Sequence, residues 1–195
     1  MITTATFPTL HRMQVSARSF FSLQRVSWRE TLVLMLVAWL VPFLVHLVPW
    51  SGPRPLGVHL LPAFWTAFVA VYLYGGGIGL LIALVVPVTN LLTTGLPAVE
   101  RLAPMLIELM VFVLAGMLMQ RRWPSLWLTA PLAWLAARAV TLLIQWAVPA
   151  LHYTRNPAEH FVTSAQASLA GLGVLLALNL ALVHLLPKDT QWDAE

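Results

Sequence analysis

Cysteine is absent from this chain, and charge is scarce. Only 9% of its 195 residues are Asp, Glu, Lys or Arg, against about 25% in an ordinary soluble domain. Without cysteine there is no disulfide framework, no thiolate metal site and no cysteine nucleophile. There is no G-x-x-x-x-G-K-[ST] loop, so the chain is not expected to hydrolyse ATP itself, and no H-E-x-x-H or related metal-binding spacing. No serine sits in a nucleophile turn with a histidine at matching depth. The expectation is therefore a protein that is not an enzyme and needs no cofactor or resident metal. Acids are fewer than bases, 7 against 11, and the sequence pI is near 10.4. The arginines flank apolar segments and form no patch, so nucleic acid is not an expected partner and the basic residues read as topology signals.

What the chain has is apolar length. Hydrophobic residues make up 59% of it, and its mean hydropathy is +0.82. That excess suits a lipid bilayer, where a helical span needs roughly 20 apolar residues. Six candidates follow: 31–49, 58–74, 78–94, 102–120, 126–151 and 161–186. Gly75, Gly76 and Gly77 read as a tight turn between the second and third, and Pro131 as a kink in the fifth. Seven basic residues (Arg12, Arg18, Arg25, Arg29, Arg121, Arg122 and Lys188) fall on one side of this arrangement and three (Arg54, Arg101 and Arg155) on the other. The majority marks the cytoplasmic side. The expected fold is an all-α integral membrane bundle of six transmembrane helices with both termini cytoplasmic, a multi-pass protein of a bacterial inner membrane. Residues 1–29 would form a basic cytoplasmic arm against anionic lipid, with Phe20, Phe21 and Trp28 at the interface. Residues 30–187 would be the membrane domain and 188–195 a short cytoplasmic tail.

Polar residues inside these spans need an explanation, because a charge at mid-bilayer costs about 2.5–3.5 kcal/mol on insertion scales. Glu108 and Arg138 lie deep in spans four and five. Glu108 is expected two turns below the outer end, roughly 10 Å deep, and Arg138 near mid-membrane. The arginine side chain is long enough to climb toward Glu108, and an ion pair is expected if the helices are neighbours. That pair either pins helix register or touches a polar ligand. Arg138, Thr141 and Gln145 share one helical face. Asn90, with Thr93 and Thr94, closes span three; Gln166 lies beside Thr163 in the outer part of span six; His46 ends span one and His59 opens span two. These groups gather toward the outer leaflet, whereas the inner halves look plainer apart from Asn179 and His184. The pattern suggests a substrate cavity open to the outside rather than a pore or proton relay. Of the nine tryptophans, most suit the interfacial belt; Trp65, Trp134 and Trp146 are placed to stack on a flat ligand. Alanine stripes at 63, 67 and 70 in span two, and Ala170, Gly173, Ala177 and Ala181 in span six, allow close helix approach, either within the bundle or to a partner.

The stretch HLLPAFWTAFVAVYLYGGGIGLLIALVVPVTNLLTTGLP, followed by APMLIELMVFVLAG, resembles the substrate-binding S components of energy-coupling-factor (ECF) vitamin transporters. The resemblance rests on a proline-bearing start to span two, a glycine-rich turn, a span-three end of the form P-x-x-x-x-L-x-T-G-x-P, and a span-four Pro-Met followed by Glu. Pro62, Gly75, Gly79, Pro87, Asn90, Thr94, Gly95, Pro97, Pro104, Met105, Glu108 and Gly116 occupy those places. It covers about the first two-thirds of the chain. It implies six helices, capture of a vitamin-like small molecule near the outer face, and two kinds of partner: a transmembrane coupling protein and paired ATPase subunits. Span one carries Ala38 alone among bulky residues, so docking to the coupling protein falls to the stripes of spans two or six. The amino-terminal Met-His of the metal-importing members is missing, which disfavours metal as cargo. The candidate substrate-binding residues are Glu108, Arg138, Asn90, Gln145, Thr141, His46, His59, Trp65, Trp146 and Gln166. The competing expectation is a non-transporting membrane scaffold of the rod-shape type, with the same helical architecture and a structural polar cluster.

Overall fold

The computed structural model describes residues 28–52, 55–148 and 156–186. The amino-terminal arm up to residue 27, Arg54, His152, Arg155 and the tail with Lys188 lie outside the described residues. Among those described there are only helices, eight in all: α1 (Trp28–Leu47), α2 (Leu56–Leu60), α3 (Pro62–Tyr74), α4 (Gly76–Thr94), α5 (Val99–Arg122), α6 (Thr129–Ala147), α7 (Pro157–Ala167) and α8 (Leu169–Leu185). Five helical stretches are long and apolar enough to cross a membrane, with α2 and α3 together making one of them. A sixth is added if α7 and α8, bent by 60°, count as one span. The protein is thus an all-helical, multi-pass membrane bundle, and large apolar side chains such as Leu36, Leu92, Leu118 and Leu143 lie on its outside, as lipid requires.

Helix α5 is central, packed on α3, α4 and α6, while α8 bridges α3 and α6. The core is built from Phe64 and Phe68 of α3, Ile78 and Ile82 of α4, Leu109 and Phe112 of α5, Trp134 of α6 and Leu175 of α8. Helix α1 is peripheral and buries only Ala38 and Pro42. We call the end holding Leu47, Thr94, Val99 and Ala147 the rim, and the end holding Tyr74, Arg122, Thr129 and Leu185 the base.

Three elements differ from the sequence expectation. The turn after α3 is a single residue, Gly75, at φ 85°, a conformation that only glycine adopts without strain. Gly76 and Gly77 are already helical, and a β-carbon at Gly76 would collide with Met117. Pro131 makes no kink, because α6 starts at Thr129 and a proline in the first turn forfeits no intrahelical bond. The last span is broken at Ser168 rather than continuous.

That break meets another. Leu61, between α2 and α3, holds φ 57° and ψ 43°, a left-handed geometry that costs a residue with a β-carbon about 1–2 kcal/mol. Pro62 follows it and has no N–H, so the carbonyl of Val58 loses its helical partner. The Ser168 hydroxyl supplies one, donating to Val58 O at 3.1 Å. In return, Nδ1 of His59 lies 2.8 Å from the Ala167 carbonyl, which the second break leaves free. Gly171 permits this crossing: a β-carbon there would come within 2.8 Å of the His59 oxygen and the Leu60 carbonyl carbon. Irregular backbone inside a membrane protein survives only where such groups are satisfied by protein.

Candidate functional site

Glu108 lies nine residues in from the start of α5, and Arg138 nine residues short of the end of α6. At 1.5 Å per residue both sit roughly 13 Å below the rim. Gly116 of α5 faces Ala133 of α6 with no side chain between, so the two helices run close together and set the register above that point. The outcome is an ion pair: Arg138 Nε is 2.9 Å from Glu108 Oε1, with the side chains 14% and 9% exposed. The alignment falls short of a hydrogen bond, since neither atom has a hydrogen-bonded partner. The attraction is chiefly Coulombic. Below the guanidinium lies the fully buried indole of Trp134, its ring centroid 5.3 Å from Arg138 Cζ, a cation–π distance.

On the Arg138 helix, and at a similar level on α3, lie buried polar atoms that no described residue satisfies. Thr141 is 5% exposed and its hydroxyl has no partner. The indole nitrogens of Trp134 and Trp65 are likewise buried and unbonded. Trp65, half-buried on α3, lies near the level of Glu108. Taking the crossing of Val71, Gly79 and Val113 as a common mark, the two are six and five residues nearer the rim, about 9 and 7.5 Å. Gln145 is buried on the same face of α6. One turn toward the base the character changes: Phe112 meets Phe64 edge to face at 5.1 Å, with Phe68 beyond. The polar group therefore rests on a dry aromatic layer.

Of the residues expected to bind substrate, the structure brings Glu108, Arg138, Thr141 and Gln145 onto the α5–α6 interface, with Trp65 level with them across from α3. Asn90 is 4% exposed but nearer the rim on α4; its amide nitrogen donates to its own helix at Val86 O, 3.1 Å, while Oδ1 has no partner. Thr93 and Thr94 donate to carbonyls of their own helix. His59 is held in the helix-break crossing, and His46 packs over Gly57, where a β-carbon would come within 2.6 Å of its ring. Trp146 and Gln166 do not join the group. Trp146 is 59% exposed because it follows Gln145 by one residue, a rotation of about 100° off the buried face. Gln166 is exposed, and the bend at Ser168 turns Ser164 inward on that helix instead. Trp134, expected as a ring to stack on a flat ligand, instead lies beneath the arginine, and Ser168 at the break lay outside the expected set.

The base is less dry than the sequence suggests. Tyr72, Gln120 and Thr129 are buried there alongside Asn179. Among the described residues no group of three or more His, Cys, Asp or Glu is arranged to hold a metal ion. No family model matches the chain, and no curated protein and no solved structure matches it significantly.

Proposed function

We propose that this protein is a substrate-capture subunit of the ECF type, a six-span protein of a bacterial inner membrane with both termini in the cytoplasm. It takes up a vitamin-like polar molecule at the rim, which faces outward, and hands it across when coupled to a transmembrane partner and paired ATPases. The observation that carries this reading is the Glu108–Arg138 pair. It lies deep in an apolar bundle, and neither its own facing atoms nor the Thr141 hydroxyl and Trp134 N–H on the same helix as Arg138 are engaged by any described residue in a hydrogen bond. Buried polar atoms are normally satisfied, and a cluster left open over an aromatic floor is suited to a ligand. Intramembrane ionisable pairs commonly mark substrate sites.

The test is native mass spectrometry of the protein purified from membranes, searching for a retained small molecule, followed by the same measurement on Glu108→Ala. Retention by the wild type and its loss in an inserted variant support capture. Unchanged affinity in Glu108→Ala sinks it. The scaffold reading has one observation in its favour: Ala170, Gly173, Ala177 and Ala181 of α8 are all exposed, whereas Ala63, Ala67 and Ala70 of α3 are buried. A small-residue face open to lipid suits a partner helix in either reading. Co-purifying ATPases favour transport, and cell-wall synthesis proteins favour the scaffold.

A further inference from the structure

The charge and the hydrogen-bonding capacity of the α5–α6 group point to a class of ligand. Among the described residues Arg138 is the cation paired at this site, and Glu108 already stands 2.9 Å from its Nε. The pair is electrically balanced. An incoming carboxylate or phosphate would meet the buried Glu108 carboxylate and would have to draw the guanidinium away from it. Like charges brought together at a desolvated contact lose several kcal/mol.

The hydrogen-bonding side is different, because the pair is close but misaligned. Glu108 Oε1 and Arg138 Nε remain without a hydrogen bond, and neither side chain makes one to any other described residue. The site thus offers an acceptor and a donor next to each other, with the buried Thr141 hydroxyl and Trp134 N–H of the Arg138 helix also without a partner. The complement is a molecule with a donor and an acceptor side by side and no net charge.

We propose that the site selects an uncharged ligand through an amide-like edge (a carboxamide, lactam or cyclic urea), the ligand N–H donating to Glu108 and its C=O accepting from Arg138, and that it discriminates against anions. This rests on the capture reading and names its substrate class.

The experiment is equilibrium dialysis of the full chain in nanodiscs against an equimolar mixture of matched pairs: nicotinamide with nicotinate, uracil with orotate, biotinamide with biotin. The wild type should retain the uncharged members, with each acid at least about tenfold weaker, a conservative figure for an uncompensated like charge. Glu108→Gln leaves Arg138 as a lone cation and should reverse the preference toward acids. The double variant Glu108→Gln/Arg138→Gln removes both charges and should not favour acids. The wild-type comparison is informative even if neither variant inserts. Retention of the acids by the wild type overturns the neutral-ligand inference and leaves capture standing. An unchanged preference in well-inserted Glu108→Gln also overturns it. Retention of nothing by wild type or variants overturns both.

Discussion

At the base of the bundle, buried polar side chains reach for backbone. Tyr72 donates its hydroxyl to the carbonyls of Leu182 and Leu186 at 3.2 and 2.9 Å. Asn179 donates to Leu126 O at 3.1 Å, and Thr129 to the same carbonyl at 2.9 Å. Each reaches a carbonyl at a helix end or in the turn before α6; Leu182 O and Leu126 O also accept the backbone N–H groups of Leu186 and Thr129. Toward the rim, the buried groups of α5 and α6 face one another, and several of their atoms face nothing in the described chain. The same residue types thus perform two tasks. At the base their donors engage the backbone of the fold, with Asn179 Oδ1 left over; below the rim donors and acceptors alike are left unengaged by the described residues. Sites that bind ligands are where proteins leave local rules unmet.

Substitutions can break this contrast. The largest effect is expected from Arg138→Ala, which strands a buried carboxylate; losing one partner of a buried ion pair costs about 3–5 kcal/mol. Replacing both charges, as in Glu108→Leu/Arg138→Met, should recover most of that loss while abolishing ligand retention. Unfolding in nanodiscs followed by tryptophan fluorescence measures both, and a double variant as unstable as the single would show that more than the pair is at stake. Next comes Gly171→Leu. Its side chain would enter the space of Leu61 and the backbone of residues 59 and 60, and overpacking of this kind costs about 1–3 kcal/mol. The expected result is lower stability together with faster proteolysis near the α2–α3 break. Tyr72→Phe should cost less, about 1 kcal/mol for the lost hydrogen bonds to Leu182 and Leu186, with ligand retention unchanged.

How far the sequence discloses this arrangement depends on what each feature needs. Spans are legible because about 20 apolar residues are required whatever the packing. The Glu108–Arg138 pair is legible because both charges are costly alone and an arginine side chain is long enough to span a difference in depth. The α4 end is legible through Gly95, which caps the helix at φ 71°, the conformation that a terminal glycine serves. The break at Ser168 is hidden, because the carbonyl its hydroxyl engages is released by Pro62 and lies 110 residues away; no local pattern of α7 or α8 records that. The base groups are underrated for a similar reason, since their partners are carbonyls that carry no sequence signal. Trp146 and Trp134 could have been separated from spacing alone. Trp134 is four residues before Arg138 and shares its face, whereas Trp146 adjoins Gln145 and cannot.

Thr141→Val sharpens the contrast with the smallest change in stability. Valine has nearly the shape of threonine, and the hydroxyl it removes bonds to nothing in the described chain. A buried hydroxyl without a partner is itself a penalty, so the folded state should be as stable as the wild type within about 0.5 kcal/mol, or slightly more stable. Ligand retention should nevertheless fall, by about fivefold to tenfold if the hydroxyl makes one ordinary hydrogen bond in the complex. Tyr72→Phe should give the opposite result, lower stability with retention intact. If Thr141→Val instead destabilises the bundle and leaves retention untouched, the hydroxyl belongs to the fold, and the division between base and rim fails at its most sensitive position.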